Sequence, residues 1–357
     1  MIDIQQHLIP SGTPLREALQ RINSLPGGAM NLFVTDNGGR ALGSVTDGDI
    51  RRGLIAGAGL SSPVDEVMRR EFLRVPADAG DEAVGLIAEA RRRGIRIVPA
   101  ADASGRIVRI YDLSRLRSLL PLDAVLMAGG KGERMRPLTL TTPKPLLPVA
   151  GKPIIDYNVE AFASFGIENV KATVNYLRGQ IEEHFSVPRA GIMVECVGEP
   201  APLGTFGSLA YVREGLTHDN LIVMNSDLLT DIDFEAMYRR HIAEDAAITV
   251  ASVPYTVSVP YAIMVTEGER VCSLAEKPTY NYFANAGVYI MKRSLLERIR
   301  EGERLDAPDF ITSLLEEGVR IAHYPVDGLW MDIGAPDDYR CACELMDKRP
   351  RTPQSAD

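Results

Sequence analysis

Residues 122–132 read LDAVLMAGGKG, and this stretch decides how the larger part of the chain folds. Leu122–Ala128 is mostly apolar and has the length of one buried strand, which Gly129, Gly130 and Gly132 bring to an end. Glycines let backbone N–H groups approach phosphate oxygens, because no Cβ stands in the way. An open α/β sheet binds ligands beyond the carboxyl ends of its strands, so the stretch predicts a strand followed by a phosphate-binding loop.

Further apolar runs of strand length alternate with helical patterns along the rest of the chain. The candidate strands are 170–174, 192–197, 221–224, 247–253 and 287–291, and the candidate helices include Asp156–Phe165 and Phe234–Ile242. This alternation predicts an α/β fold with a mainly parallel, doubly wound (Rossmann-like) sheet. We expect this domain at residues 121–347, because an expected helix at 113–120 ends at Pro121, and a flexible polar tail at 348–357.

Residues 1–120 contain an internal repeat. The segments Asp36–Arg40 and Asp102–Arg106 each follow an apolar run and are offset by 66 residues. Each half reads as helix, strand, Asp-Gly turn, strand and helix, with helices expected near Leu15–Asn23 and Glu82–Arg93. A repeat of this length cannot cover its own sheet, so we expect the two copies to pack together as an α+β pair.

The segment Gly43–Ile50 of the first repeat, GSVTDGDI, resembles the strand-turn-helix of tandem CBS domains. The resemblance implies that Thr46 and Asp49 face the phosphate and ribose of an adenosine nucleotide. It also implies a homo-oligomer. Considered as residues alone, Thr46 and Asp49 are equally well explained as caps of the helix that follows them. In the second repeat the offset places Asp112 and Arg115 at these positions, so the second site is altered.

Composition excludes several other classes of protein. The net charge is −9, whereas a general nucleic-acid-binding protein is normally basic, so we expect no nucleic-acid partner. The four cysteines and five histidines do not have the spacing of a zinc site, and the thiols are expected to stay reduced. Residues 1–10 do not have the pattern of a signal peptide, and no apolar run reaches about 18 residues. We therefore expect a cytoplasmic protein without a membrane partner.

Two cationic residues follow the glycines and suit a phosphate ligand. Arg134 can bind phosphate oxygens with its planar fork, and Pro143 and Pro145 stiffen the backbone around Lys144. The loop lacks the Walker A order, and Met135 stands where a redox dinucleotide motif has its last glycine. P-loop hydrolysis and redox dinucleotide chemistry are therefore both disfavoured.

The run from Leu126 to Pro153 resembles the opening of the sugar-1-phosphate nucleotidyltransferases, and the resemblance extends over residues 122–339. It implies transfer of a nucleoside monophosphate from a nucleoside triphosphate to a sugar 1-phosphate, with release of pyrophosphate. The residues that match the nucleotide-binding loop of the family are Ala128, Gly129, Gly130 and Gly132. Catalytic roles are implied for Arg134, Lys144, Asp227 and Lys277.

Two aspartates are candidate metal ligands. Asp227 follows the apolar run 221–224, so it is expected at the carboxyl end of a strand, where it points into the crevice. Asp332 lies in the segment Trp330–Gly334. Taken alone, each is equally well explained as a cap or turn residue. The family resemblance implies that both bind Mg²⁺, which prefers one or two carboxylates together with phosphate oxygens.

The resemblance also assigns the sugar phosphate and the base. Glu276 and Lys277 match a motif that meets the sugar phosphate, and Asn285 and Gly287 match a run that contacts the hexose. Ala262 stands where the family often has glycine, which leaves the sugar open.

Glu199 and Gly204 match the loop that reads the base, and Gly204 would let the base lie against the backbone. One carboxylate can accept both N1–H and N2–H of guanine, so Glu199 favours GTP. The alternative is that Glu199 turns outward and the backbone alone reads the base.

We therefore predict a nucleotidyltransferase that uses GTP and a sugar 1-phosphate, with Mg²⁺ as cofactor. The resemblance is greatest to CBS-bearing guanylyltransferases that make GDP-glucosamine, which implies glucosamine 1-phosphate as the acceptor. Mannose 1-phosphate and glucose 1-phosphate, with GTP, UTP or dTTP, remain alternatives. A catalytically inactive nucleotide sensor is an alternative of another class, and the presence of all the expected charged residues argues against it.

Overall fold

The structure, a computed structural model, describes residues 2–26 and 30–348. The chain divides into two compact units, one of residues 1–121 with 164–166 and the other of 122–163 with 167–357. The predicted tail lies outside the described residues apart from Lys348, which ends the last helix. Within the described ranges, no helix has the length and apolar character needed to cross a membrane.

The first unit contains two small sheets of the same topology. Its elements are β1 (Leu8–Pro10), α1 (Leu15–Ser24), β2 (Asn31–Thr35), β3 (Ala41–Thr46), α2 (Asp47–Ile55), β4 (Val75–Pro76), α3 (Asp81–Arg92), β5 (Ile97–Ala101) and β6 (Ile107–Asp112). The strand orders are β1-β2-β3 and β4-β5-β6, and in each sheet the first pair is parallel and the second antiparallel. Arg40 and Arg106, which are equivalent in the repeat, bridge to each other, so the two turns meet. CBS membership remains a prediction.

The expected helix at residues 113–120 is wrong, because the chain there is a turn followed by irregular backbone. The N–H of Leu113 donates to Arg96 O, which prolongs the pairing of β5 with β6. The guanidinium of Arg91 donates to the carbonyl oxygens of Leu113 and Leu116. A helix would need those same carbonyls for its own hydrogen bonds.

The second unit is built on one seven-stranded sheet. Its elements are β7 (Leu122–Ala128), β8 (Pro148–Val149), β9 (Lys152–Pro153), α4 (Ile154–Ser164), β10 (Val170–Val174), α5 (Arg178–His184), β11 (Val194–Gly198), α6 (Gly204–Gly207), β12 (Asn220–Asn225), β13 (Leu228–Thr230), α7 (Phe234–Ala243), β14 (Ile248–Ser258), β15 (Ile263–Glu267), β16 (Arg270–Ala275), β17 (Thr279–Lys292), α8 (Ala307–Glu316), β18 (Ile321–Pro325), β19 (Trp330–Asp332) and α9 (Pro336–Lys348). The strand order is β11-β10-β7-β12-β17-β14-β18.

The predicted α/β sheet is confirmed, with one strand reversed. β17 runs antiparallel to both of its neighbours, β12 and β14, and the other pairs are parallel. Val125 and Val223 pack on one face, in a cluster with the aromatic rings of Phe206 and Phe310. Full burial of such a side chain contributes about 1.5–3 kcal/mol, which explains the near-continuous apolar sequence of β7.

The register of the central strands determines where the site lies. β7 and β12 are parallel neighbours, and Met127 is opposite Asn225 at their carboxyl ends. The segments that follow, which begin with Gly129 and Ser226, therefore leave the sheet side by side. The buried hydroxyl of Ser226 donates to Met127 O at 2.7 Å and ties the two segments together.

Candidate active site

The glycine loop folds back toward the lysine that follows it. Gly132 has φ +59°, and a Cβ placed there would lie 3.0 Å from Thr139 Cγ2 and 3.2 Å from Lys144 Cβ. The hydroxyl of Thr139 donates to Gly132 O at 2.8 Å. Gly130, in contrast, faces open space. The loop therefore needs glycine at 132 for close packing, and at 130 it leaves backbone open to a ligand.

Lys144 lies at the centre of the site. It begins a short 3₁₀ turn, Lys144–Leu146, that follows Pro143, and its side chain is only 9% exposed. Its ammonium donates to Asp227 Oδ2 and lies 3.7 Å from Asp332 Oδ1. The expected convergence of the two carboxylates is therefore observed around one buried cation.

Strand pairing brings the two aspartates together. β13 and β19 are antiparallel, with Leu228 opposite Asp332, and the N–H of Ile333 donates to Asp227 O at 3.2 Å. Burial, together with the negative charge of Asp227, raises the pKa of the Asp332 carboxyl. The positive charges of Lys144 and Arg134 act in the opposite direction.

Arg134 completes the positive side of the site. It lies in the 3₁₀ turn Glu133–Met135, and a Cβ on Gly334 would be 3.3 Å from each of its two terminal nitrogens and from Asp332 Oδ2. The glycine after Asp332 therefore allows the guanidinium to approach the carboxylates. These groups border a cleft of about 380 Å³ lined by Met127, Ala128, Gly130, Gly132, Glu133, Arg134, Lys144, Pro145, Ser226, Asp227 and Gly334.

The two carboxylates suit a magnesium ion. Asp227 Oδ1 is buried and accepts no hydrogen bond from the described residues, which leaves one hard oxygen unsatisfied beside the cleft. Across 2–26 and 30–348, no three His, Cys, Asp or Glu side chains are grouped as metal ligands. A magnesium ion commonly takes one or two carboxylates and obtains its other ligands from phosphates and water, so this donor set fits it.

The two residues predicted to read the base, Glu199 and Gly204, lie in different surroundings. Glu199 is buried, and a Cβ on Gly129 would lie 2.4 Å from its Oε1, so its carboxyl group faces the start of the glycine loop. Burial raises the pKa of Glu199, and Thr173 and the backbone of Leu203 act in the opposite direction. Gly204 has φ +77°, and its missing Cβ would lie 2.7 Å from Leu305 O.

Two of the predicted sugar residues, Asn285 and Gly287, lie on β17, which is the neighbour of β12 in the sheet. A Cβ on Gly287, which has φ +71°, would lie 2.4 Å from Asn225 Nδ2. Asn285 accepts a hydrogen bond from Gly287 N at 2.9 Å and donates to Tyr289 Oη at 2.8 Å. Trp330 Nε1 donates to Ala286 O at 2.8 Å, which links this run to the strand of Asp332. Nothing in the sequence pattern indicated these links.

Like Asn285 and Gly287, the other two sugar-phosphate candidates do not line the cleft. Glu276 and Lys277 lie in the exposed turn between β16 and β17, and neither is among the described residues that line the cleft. Lys277 has φ +45°. Its contact with a sugar phosphate remains a prediction.

In the first unit, Asp49 is held by its own neighbours. Thr46 and Asp49 form a reciprocal capping box at the start of α2. The carboxylate of Asp49 also accepts hydrogen bonds from Arg52 at 2.6 Å and Arg69 at 2.8 Å. These hydrogen bonds lower the pKa of Asp49 although burial raises it. The capping interpretation thus describes the observed contacts, and nucleotide binding there remains a prediction.

At the equivalent position of the second repeat, Asp112 forms a two-point ion pair with Arg96, with N–O distances of 3.0 and 2.9 Å. Burial raises the pKa of Asp112. The hydrogen bonds from Arg96 and Ser114 outweigh this effect and lower the pKa to about 2. The altered second site therefore has its own internal counterion.

A larger concavity of about 590 Å³ lies at the opposite end of β12 and includes Arg213, Lys292 and Arg293. Each of these cations is already engaged, by backbone carbonyls or by Asp245. The smaller cleft is therefore the candidate active site, because it brings together glycine backbone, two cations and a carboxylate.

The cleft lies at the carboxyl ends of the central strands, where an open α/β sheet binds its ligand. The profile of the family described as "Nucleotidyl transferase" matches residues 123–349, well over half of the chain. The chain therefore belongs to the nucleotidyl transferase family.

Curated relatives include two proteins whose names state a substrate. The chain is 34% identical over 226 residues to the mannose-1-phosphate guanylyltransferase catalytic subunit beta of Xenopus tropicalis, which covers 61% of this chain and 62% of that protein. It is 35% identical over 228 residues to the mannose-1-phosphate guanylyltransferase of Mycobacterium tuberculosis, with the same coverage. The match thus spans less than two thirds of either relative.

Solved structures share the fold of the second unit. HddC from Yersinia pseudotuberculosis, complexed with GMP-PN, has a TM-score of 0.50 and 22% identity, over 63% of this chain and 99% of that one. UDP-glucose pyrophosphorylase from Acinetobacter baumanii has a TM-score of 0.51 and 20% identity, over 64% of this chain and 95% of that one. At these identities the likeness concerns the fold alone.

Proposed function

We propose that this protein transfers a guanylyl group from GTP to a hexose 1-phosphate and releases pyrophosphate. The observation that carries the proposal is the meeting of Lys144, Asp227 and Asp332 beside the glycine loop. A site with both a phosphate-binding backbone and converging carboxylates suits a nucleotide and its metal ion. The names of the related guanylyltransferases support the same reaction class.

The reaction is an in-line displacement. An oxygen of the sugar 1-phosphate attacks the α-phosphorus of GTP, the bond from that phosphorus to the bridging oxygen breaks, and pyrophosphate leaves with the electron pair. The attacking oxygen is already ionised at neutral pH, so no general base is needed. The work of the chain is to position the two substrates and to neutralise charge.

Each charged residue has a defined part in this proposal. Arg134 and Lys144 bind phosphate oxygens of GTP above the open backbone of Gly130. Asp227 and Asp332 would hold Mg²⁺, which when bound neutralises the phosphates and polarises the reacting centre. Lys277 meets the sugar phosphate from the exposed turn that carries it.

Glu199 supports guanine as the base. Its carboxyl group faces the backbone of Gly129, at the start of the loop on which the nucleotide is expected to lie. A buried carboxylate that accepts N1–H and N2–H of guanine would keep one oxygen unpaired with uracil or thymine, which offer only N3–H, and such a mismatch costs binding energy.

The hexose is assigned from the relatives. Mannose 1-phosphate is the first candidate, because the related guanylyltransferases carry that name. Glucosamine 1-phosphate, which the CBS resemblance implied, is the second. Ala262 does not favour one of these two sugars over the other, because it stands where the family often has a glycine that contacts the sugar.

Pyrophosphate release tests the proposal directly. The full chain is assayed with GTP, ATP, UTP and dTTP, each with the 1-phosphates of mannose, glucosamine and glucose. We expect GTP with one of the first two sugars to give the highest kcat/KM. Release from none of these pairs would contradict the proposal and would favour a nucleotide sensor without activity.

A further inference from the structure

Residues 254–283 form an arm that extends from the sheet. The outer half of β14 pairs with the outer half of β17 up to Ser258 opposite Thr279, and β15 and β16 continue the arm as a hairpin. Beyond Ser252, β14 has no second neighbour, because its pairing with β18 ends there. The arm is therefore a two-stranded ribbon, which is marginally stable in water by itself.

No residue of the arm is buried. It nevertheless carries half of the large apolar side chains that are exposed among the described residues, ten of twenty. Tyr261 is 73% exposed and Tyr282 is 57% exposed. An element with this composition and no covered face has the properties of an interface.

The register places these side chains in patches. Tyr255 is opposite Tyr282 and Val257 is opposite Tyr280, so all four lie on one face of the ribbon. The rings of Tyr280 and Tyr282 are stacked, with centroids 6.4 Å apart. On the hairpin, Met264 is opposite Leu274. The patches are therefore arranged by the strand pairing and are not scattered side chains.

The size of the apolar surface suits a stable protein interface. If each of the five aromatic side chains exposes about half of the 150–250 Å² typical of an aromatic side chain, these five alone present roughly 375–625 Å², to which the five aliphatic side chains add. The largest apolar patch on a monomer is about 300–600 Å², whereas a standard interface buries about 800 Å² on each partner.

We propose that the arm is a dimerisation surface that pairs with the arm of a second copy of this chain. Residues 253–266 carry five of the ten exposed apolar side chains and no charged one, so this stretch selects an apolar partner, whereas 267–277 carry three carboxylates and two cations. The arm itself is such a surface, and a two-fold axis would bring identical patches together. The outer edges of β15 and β16 have no partner among the described strands, which leaves them available for pairing across the axis.

Sedimentation of the full chain over a range of protein concentrations tests this pairing. The arm variant combines Tyr282→Glu with Leu274→Glu, and the control combines Met193→Glu with Leu315→Glu, two equally exposed residues outside the arm. We expect the wild type and the control to associate in the micromolar range. The arm variant should associate at least tenfold more weakly than the wild type. If the first unit also dimerises, the arm variant should instead have half the mass of the wild-type assembly. An unchanged melting temperature would show that the arm variant still folds.

Hydrogen exchange of the arm amides provides the second readout. In the wild type, exchange of residues 254–283 should slow as the protein concentration rises, and in the arm variant it should not. The proposal is overturned if the wild type is monomeric throughout, or if the arm variant has the mass of the wild type. It is also overturned if arm exchange is slow at every concentration, because the arm would then be covered by its own chain.

Discussion

Lys144 determines the electrostatics of the cleft at the scale of single residues. Its side chain is largely buried, and its ammonium is shared between the carboxylates of Asp227 and Asp332. Partial burial and the negative charge of Asp227 raise the pKa of the Asp332 carboxyl, and the positive charge of Lys144 offsets them only in part. The positive charge of Lys144 thus opposes the rise in the pKa of Asp332.

Replacing Lys144 should therefore affect both activity and its pH dependence. For Lys144→Met we expect kcat to fall by about a hundredfold or more, since a charge at the reacting phosphates is lost. Without the ammonium the pKa of Asp332 rises further, so the acid limb of the kcat/KM profile moves to higher pH. Lys152→Met, at an exposed ion pair with Glu160, is the control. An acid limb at the wild-type position would contradict the account.

Glu199 gives a second prediction, which concerns the base. Burial raises the pKa of its carboxyl, so it loses its negative charge at a higher pH than an exposed glutamate. We expect KM for GTP to rise as the pH falls toward that pKa, because a protonated carboxyl accepts fewer hydrogen bonds from guanine. In Glu199→Gln this pH dependence should disappear, and the kcat/KM ratio of GTP to UTP should fall at least tenfold. A ratio that stays constant would remove Glu199 from base recognition.

Among the elements, the loop 203–207 is held by the segment 303–307. Leu305 accepts hydrogen bonds from the N–H groups of Phe206 and Gly207 and donates one to Leu203 O at 2.8 Å. Thr205 and the segment around Asp306 exchange two more. The loop that is predicted to read the base is thus held by tertiary contacts that no local sequence pattern signals.

Gly204→Ala tests this contact against a matched control. A Cβ at Gly204 would lie 2.7 Å from Leu305 O, whereas Gly302 has nearly the same φ, +78°, with no atom within 4 Å. Both variants carry the same backbone strain, so the difference between them isolates the clash. We expect Gly204→Ala to lower the free energy of unfolding by about 1–3 kcal/mol more than Gly302→Ala and to raise KM for GTP. Equal effects in urea denaturation would show that the segment does not hold the loop.

The capping box of α2 predicts a pH-dependent stability. Because the folded-state pKa of Asp49 is lowered, its ionised form contributes stability above the unfolded-state pKa of about 3.9, and that contribution is lost as the pH falls through the folded-state pKa. At pH 7, Asp49→Ala should lower the free energy of unfolding by about 1–2 kcal/mol. The difference from wild type should shrink near pH 3. A difference that is constant from pH 7 to pH 3, measured by urea denaturation, would contradict this.

The sequence predicted elements that depend on a local apolar pattern better than features that depend on contacts between distant residues. β7 and β10 have the expected bounds, since burial on both faces makes an apolar run unambiguous. The helix expected at 113–120 failed because Arg91, from a distant helix, takes its carbonyls. Gly204 was expected to make room for a base, and its observed close neighbour is Leu305. These contacts are tertiary, and one sequence does not reveal them.

At the scale of the whole molecule, the fold joins segments that lie far apart in the sequence. Asp227 follows β12, and Asp332 ends β19 more than a hundred residues later. The pairing of β13 with β19 brings them to one lysine at the edge of the central sheet. The family resemblance implied that the two aspartates converge, whereas the reversal of β17 and the exposed arm were not foreseen, because both depend on the partners of each strand.

The binding of Mn²⁺, a paramagnetic substitute for Mg²⁺, tests the central claim most directly. Electron paramagnetic resonance counts the ions bound to the full chain in the presence of a non-hydrolysable GTP analogue. Wild type and an Asp245→Asn control, changed at an exposed ion pair, should each bind one ion. Asp227→Asn and Asp332→Asn should each weaken that binding at least tenfold while the protein remains folded. Unchanged Mn²⁺ affinity in both variants would contradict the convergence of the two carboxylates on one ion.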